Sequence, residues 1–476
     1  MASPRNRARP RKGRAKAPPP ATARGVVHAR VRTEVGRFPD LGLEPLATNH
    51  LDARDAAFAH ALYDAVVRRW LTLEHLVAAH ADRPVDAIDA TVRAALLVGA
   101  AQLVFLDRVP PHAALNEAVE WTRAAGKPRA TGFVNALLRR IAAAIERDDD
   151  GRPRTTEIEI GAPDRLPLAD GRALELAAPL LPEDRDAWLA AATSTPAWLL
   201  DRWRAQLGEE AAENLAMHGL VHPPVVLNLR HTASPVEGDL DAGQMLTPHE
   251  SGGMAVLGPP GASPRVLLAA RRDAWAQDPT SADALGIASD APPPALAVDL
   301  CAGLGTKTRQ LRAVHPAARI LACDANAARR KTLARVFADD DRVEVLDIDA
   351  VRYEAAGRAD LVLLDVPCSN TGVLPRRPEA RYRTGDAQLE RLAAIQCDLL
   401  VQAQAMLAAG GHVIYATCSI DADENEAIAE WARTALGFNL VASRTTLPTG
   451  RPGDPPELYR DGGFAALLRA SPAGGR

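Results

Sequence analysis

No segment of this sequence is long and apolar enough to read as a membrane span. The longest apolar run, Ala94 to Leu106, is interrupted by Gln102 and falls short of the roughly 20 residues a bilayer demands. Nor does an apolar stretch follow the basic N-terminal residues, as a secretory signal would require. Cysteine is scarce: five in 476 residues (Cys301, Cys323, Cys368, Cys397 and Cys418), with no Cys-x-x-Cys pair. That pattern argues against both a zinc site and a disulfide framework. No metal is therefore expected, and the thiols read as reduced, in a cytoplasmic protein. Aromatic residues reach only 4%, which beside heavy use of Ala and Arg looks compositional rather than functional. A large excess of charge is missing too. The net charge of −4 excludes a global positive field, so a nucleic-acid partner must be gripped by local basic patches.

Hydrophobic residues make up 47% of the chain, enough for proper cores, and its length implies two or three domains. Residues 1–40 read as a disordered basic tail, opened by Arg5, Arg7, Arg9, Arg11, Lys12, Arg14 and Lys16 and then Pro18 to Pro20. From 45 to 147 apolar residues recur at helical spacing, among them Phe58, Leu62 and Val66, then Leu96, Ala100 and Leu103, then Val134, Leu138 and Ile141. This predicts an all-α domain. Asp148 to Arg152 make a polar break, and 148–190 reads as a Pro-rich linker or insertion. Residues 191–292 read as a small α+β region, with a helix over Glu209–His218 and a strand over Val225–Leu229. Over 293–472, strand-like runs at Leu296–Leu300, Arg319–Cys323, Arg342–Leu346, Leu361–Asp365 and His412–Thr417 alternate with helical patterns. Such alternation predicts an α/β fold with a parallel, doubly wound sheet.

The first of these strands ends in Asp299-Leu300-Cys301-Ala302-Gly303-Leu304-Gly305-Thr306-Lys307. Two glycines one residue apart allow a tight turn and close approach of a ligand at the carboxyl edge of the sheet. Asp324, at the end of the second strand, suits the ribose hydroxyls of an adenosine, and Asp349, after the third, suits its adenine edge. A Gly-x-Gly turn alone fits nicotinamide and flavin cofactors equally, or no ligand at all.

The fourth strand runs into Asp365-Val366-Pro367-Cys368 and the fifth into Thr417-Cys418-Ser419. Neighbouring strands would bring both thiols to one edge, beside the proposed cofactor. Two thiols there suit methylation of carbon 5 of a cytosine. That carbon is a poor nucleophile until a thiolate adds to carbon 6 and makes the ring enamine-like. An acid near N3, for which Asp365 is the candidate, stabilises the charge this addition pushes into the ring, and a second thiol can assist release. The target base must leave its stack. Either cysteine alone would more readily be a buried structural thiol, the class in which Cys301, Cys323 and Cys397 are left.

DVPCSNTGVLPRRPEARYR and YATCSIDADENE resemble motifs IV and VI of the RsmB family, also called Sun or Fmu, of bacterial small-subunit ribosomal RNA (cytosine-5)-methyltransferases. DLCAGLGTKTRQL resembles their motif I, ACDAN their motif II, AWAQDPTSA the Gln-Asp segment upstream and DGGFAALLRAS their closing strand. FLDRVPPHAALNEAVEW and GFVNALLRRI are similar to the NusB-like RNA-binding domain such proteins carry, and STPAWLLDRW to the start of their central domain. The resemblance implies a class I methyltransferase domain over 293–472, preceded by a NusB-like domain over 45–147. It implies S-adenosylmethionine contacts from Cys301, Ala302, Gly303, Leu304, Gly305, Thr306, Lys307, Asp324, Asp349 and Asp365. It also implies Cys418 as nucleophile, Cys368 as the thiol aiding release, and 16S ribosomal RNA as partner of a monomer.

Motif I departs from the family, with Leu304 and Thr306 in place of a proline and a glycine; a β-branched residue fits poorly there if φ must be positive. The family's Arg-x-Asn element is inverted here, as Asn228-Leu229-Arg230. Arg376, Arg377, Arg381, Tyr382 and Arg383 follow the Cys368 loop, a cluster that suits phosphate gripping and base stacking; Arg139 and Arg140 offer a second patch. The altered motif I leaves open a non-catalytic RNA-binding assembly factor. An adenine amino-methyltransferase is disfavoured by Val366 and Cys368, which stand where such enzymes need a proline and an aromatic. A DNA cytosine-5 enzyme would place its nucleophile at Cys368.

Overall fold

The computed structural model describes residues 22–471, which divide into two units. One comprises the described residues up to Phe38 with Gly42–Pro153; the other comprises Pro39–Leu41 with Arg154 onwards.

The first unit is all helical: α1 (Ala23–Val35), α2 (Ala53–Arg68), α3 (Trp70–Ala78), α4 (Ala90–Phe105), α5 (Pro111–Ala124) and α6 (Thr131–Ala143). Thr22, Asp52 and Asp89 accept N-terminal amides of α1, α2 and α4, the usual side-chain caps. Helix α4 is buried from Ala94 to Val104 and is the centre of this unit. A Cβ at Gly99 would lie 2.6 Å from Leu138 of α6, so glycine permits that close approach. Helix α1 corrects the expectation of a disordered tail to residue 40. Ala23, Val27 and Val31 recur every fourth residue and are buried, while His28 stacks on Trp121 at 4.6 Å. One turn on, Arg30 pairs with buried Glu34 at 2.6 Å. The remainder of the expected tail, residues 1–21, lies outside the described residues.

The second unit begins with a small antiparallel sheet of β1 (Thr155–Glu157), β2 (Arg165–Pro167) and β3 (Arg172–Glu175), where a linker or irregular insertion is expected. Its strands are too short to show a period, yet Leu166, Ala173 and Leu174 are buried. Next come α7 (Arg185–Thr193), α8 (Ala197–Leu207) and α9 (Glu209–His218). A four-stranded sheet follows, with β4 (Val226–Asn228), β5 (Met245–Pro248), β6 (Met254–Gly258) and β7 (Trp275–Ala276), together with α10 (Arg265–Ala270) and α11 (Pro279–Asp283).

The last sheet holds β8 (Leu296–Asp299), β9 (Arg319–Ala322), β10 (Val343–Val345), β11 (Ala359–Asp365), β12 (Leu407–Thr417), β13 (Asn439–Thr446) and β14 (Gly463–Arg469). Its order is β10-β9-β8-β11-β12-β14-β13. The first five are parallel. β14 alone runs antiparallel, to both its neighbours β12 and β13, because a loop rather than a crossover helix joins it to β13. Alternate residues face opposite layers. Val298, Leu321, Val362 and Val413 pack with Val351 of α14 (Ile348–Ala355), Leu400 of α16 (Asp386–Met406) and Ile428 of α17 (Glu426–Ala435). Ala297, Ile320, Leu363 and Ile414 pack with Leu311 of α12 (Thr306–Val314) and Leu333 of α13 (Ala327–Val336). A short helix, α15 (Ala380–Arg383), precedes α16. Strand order reverses between β8 and β11, the place where such sheets open a crevice at their carboxyl edge.

Candidate active site

At that edge β8 ends in buried Asp299. Thr308 of α12 donates to its Oδ2 at 2.6 Å, and Oδ1 has no hydrogen-bond partner among the described residues. Burial pushes the Asp299 carboxyl up to about 7, against the Thr308 hydrogen bond and with help from the charge of Asp365. The turn that follows uses positive φ at Gly303 (58°) and Gly305 (92°). A Cβ at Gly305 would come within 2.7 Å of Leu333 and 2.8 Å of Phe337. Thr306 is the first residue of α12 and is not among the positive-φ residues, so its β-branch costs nothing. Asp324 accepts from the Gly303 amide at 3.0 Å and from the Asn326 amide at 2.7 Å. Leu304 is exposed and Ala302 buried, while burial and nearby carboxylates push the Cys301 thiol up. Asp349 lies exposed in the first turn of α14, paired with Arg352 at 3.3 Å, and Asp347 caps that helix. A glycine turn with open space at Gly303, a buried unpaired acceptor and an acid at the second strand fit S-adenosylmethionine.

Pairing of Asp365 with Ala416 across β11 and β12 makes both chains leave the sheet at one point. The Sγ atoms of Cys368 and Cys418 are consequently 2.9 Å apart. The two loops are stitched together: the Gly372 amide donates to the Cys418 carbonyl at 3.0 Å, and the Gly462 amide to the Gly372 carbonyl at 2.7 Å. Asn370, at φ 65°, donates to the Cys368 carbonyl at 2.9 Å and offers its Oδ1 to Cys418 at 3.3 Å. Cys418 lines a cavity of about 150 Å³ together with Lys307, Asp365, Thr280, Arg444 and Phe464. Cys368 sits behind it, buried; its contact with Cys418, then burial, holds it well above the ordinary thiol range. Lys307 reaches Asp365 at 2.8 Å. Burial opposes its charge, but the carboxylates of Asp365 and Asp299 and the nearby Cys418 sulfur outweigh that and raise it.

The expected RNA cluster is largely redirected. Arg381 is fully buried and donates to the Thr193 carbonyl at 3.0 Å and the Gly219 carbonyl at 2.8 Å. Tyr382 is buried with its hydroxyl 2.9 Å from Ser194 Oγ. Arg376 stacks over Tyr459 and donates to Asp461 at 2.6 Å, with Asp278 3.6 Å away. These three are struts between elements; Arg377 stays exposed and Arg383 half-buried. The inverted Asn228 and Arg230 diverge as well: the Asn228 carboxamide is buried against Gln277 at 2.9 Å, while Arg230 turns outward. Thr280, Arg444 and Asp461 line the cavity without having been singled out. The AWAQDPTSA and DGGF strings flagged the first and last; nothing in the sequence marks Arg444.

A family model for the 16S rRNA methyltransferase RsmB/F matches residues 292–446, and one for the NusB family matches 29–143. Ribosomal RNA small subunit methyltransferase B of Xanthomonas campestris pv. campestris is 32% identical over 436 residues, covering 88% of this chain and 89% of that one. The chain belongs to the RsmB/F family. The Escherichia coli O6:K15:H31 enzyme of the same name is 29% identical, covering 90% of this chain and 93% of that one. The crystal structure of PH0851 shares the fold, with a TM-score of 0.66 and 20% identity over 94% of this chain and 98% of that one. As an RsmB/F member the chain is a class I methyltransferase whose cofactor is S-adenosylmethionine, with a NusB-like helical unit. No helix among the described residues is long and apolar enough to cross a membrane, and none of their acidic, His or Cys groups could hold a metal ion.

Proposed function

We propose that this RsmB/F member methylates carbon 5 of a cytosine in small-subunit ribosomal RNA through a covalent Cys418 adduct. The observation that carries the reading is the asymmetry of the thiol pair: the two sulfurs touch, yet only Cys418 opens onto the cavity, which it shares with Asp365 and Lys307. The relatives, ribosomal RNA small subunit methyltransferases, supply the RNA class.

Residues 301–307 and Asp324 would hold S-adenosylmethionine, which would supply an electrophilic methyl group and leave as the neutral thioether. Cys418 sulfur bonds to carbon 6, and the ring's π pair moves to carbon 5. The Lys307–Asp365 pair carries the thiol's proton to the N3 edge and holds the ring's charge. Carbon 5 takes the methyl. As Cys418 departs, Cys368 gives it a proton and takes up the carbon 5 proton in its place, while the N3 proton returns through the Lys307–Asp365 pair to solvent, so the double bond reforms and both thiols are restored. Asp349, exposed on α14, is assigned the adenine edge, and Arg377 and Arg383 contacts to the RNA backbone.

Incubation with a 16S ribosomal RNA transcript and methyl-labelled cofactor, followed by digestion to nucleosides, tests the reading. Label is expected in 5-methylcytidine, and none with Cys418→Ser. Label in an N-methylated nucleoside instead would refute carbon 5 as the target.

A further inference from the structure

Three arginines from separate segments converge on one residue, Asp283, beside the cavity. Arg230, just past β4, donates to Asp283 Oδ1 at 2.8 Å. Arg460, three residues before β14, reaches Asp283 Oδ2 at 3.2 Å and also bonds Ser251. Arg444 of β13 donates to the Asp283 backbone carbonyl at 2.8 Å. Two guanidiniums share the Asp283 carboxylate and the third takes its backbone carbonyl, so the cluster itself is net positive.

Arg444 joins this cluster to the reaction site. It pairs across the sheet with Ala465, as Thr446 does with Gly463, and all four residues line the cavity that Cys418 opens onto. Residues 444 and 446 share one face of their strand. Arg444 is exposed, and only one of its nitrogens has a partner among the described residues, leaving donors pointed to solvent beside the cavity. Asp283 and the Gly252 carbonyl, which accepts from Arg230 at 3.0 Å, hold the other guanidiniums in place before any ligand arrives, which lowers the ordering cost of binding.

We propose that Arg444, Arg460 and Arg230 form a phosphodiester-binding site for the RNA strand on either side of the extruded base. An RNA base drawn into the cavity stays tethered to a backbone that must cross its mouth. A planar guanidinium matches the phosphate oxygens there two at a time. Such contacts fix register and position without reading sequence. The proposal rests on the RNA reading above, but not on which atom of the base is methylated.

The test is filter binding of a labelled 16S ribosomal RNA transcript to the full-length protein over a salt series, without cofactor. Each phosphate contact to single-stranded RNA contributes about 0.7 to the slope of log affinity against log salt. Arg444→Gln and Arg460→Gln should each flatten the slope by about 0.7, the double variant by about 1.4. Arg444→Lys should largely keep it, and Arg433→Gln, at an exposed arginine of α17 already paired with Glu430, should leave it unchanged. Arg444 makes a single backbone hydrogen bond, so its variant reports binding even if Arg460→Gln unfolds. A wild-type slope in Arg444→Gln, or equal flattening by Arg433→Gln, overturns the site. A wild-type protein that binds with the expected slope yet yields no 5-methylcytidine would instead sink the chemical reading and leave this site standing.

Discussion

Cys368 and Cys418 are chemically the same side chain, and position alone separates them. One faces the cavity beside Lys307; the other lies behind it, kept protonated by its neighbour and by burial. Asp299 and Asp365 divide in the same way. Asp365 is partly exposed and paired with a cation, whereas Asp299 is buried and raised to about 7. A carboxyl raised on folding keeps its proton after the unfolded chain has lost one, so stability falls as pH climbs through that interval and levels off above about 7. Asp299→Asn removes the titration. The wild-type melting temperature, plotted relative to this variant, should fall between about pH 5 and 7 and then stay flat; a difference independent of pH would contradict the burial argument. The thiol pair was legible because each cysteine follows a strand with an unmistakable apolar run, LVLLD or HVIYAT. Thr306 was not, since only the fold reveals that α12 begins there and that the positive φ belongs to Gly305.

Among the elements, α15 carries the largest departure from expectation. Its arginines read as a solvated, RNA-facing run because charge ordinarily marks a surface. Arg381 instead inserts its guanidinium between the C-terminal ends of α7 and α9, where a cation complements both helix dipoles and bonds carbonyls that helices leave open. Arg381→Ala would strand two buried carbonyls and should cost about 3 kcal/mol. Chemical denaturation should show that loss, with the RNA salt slope unchanged; the reverse pattern would return Arg381 to the RNA surface. The parallel strands were legible from apolar runs alternating with helical patterns, but the reversal at β14 was not, because burial pattern carries no strand direction. β13 is exposed along nearly its whole length and lacks an apolar period, which is why Arg444 went unmarked. Helix α1 was hidden by the basic run before it, and its buried polar residues, His28 and Glu34, interrupt the apolar signal.

On the scale of the whole molecule, His28 in the helical unit and Asp299 in the other respond to pH with opposite sign. His28, in the helical unit, is lowered to about 3 by burial and by the charge of Arg24, against a backbone hydrogen bond to Ala94. The unfolded chain therefore binds a proton that the folded unit refuses, and stability is lost as pH falls below the ordinary histidine range. Calorimetry should resolve two transitions. Acidification from about pH 7 to 5 should lower the one belonging to the helical unit, and His28→Leu should suppress that shift. A single transition, or an unchanged shift in the variant, would contradict this assignment. The catalytic claim is a statement about the second unit, and covalent trapping tests it most directly. Cys368→Ala protein is incubated with a 16S ribosomal RNA transcript and S-adenosylmethionine, run under denaturing conditions, and the linked peptide is sequenced by mass. The predicted result is an RNA–protein adduct attached through Cys418 that is absent from Cys368→Ala/Cys418→Ala protein; an adduct accumulating in Cys418→Ala and linked through Cys368 would contradict it.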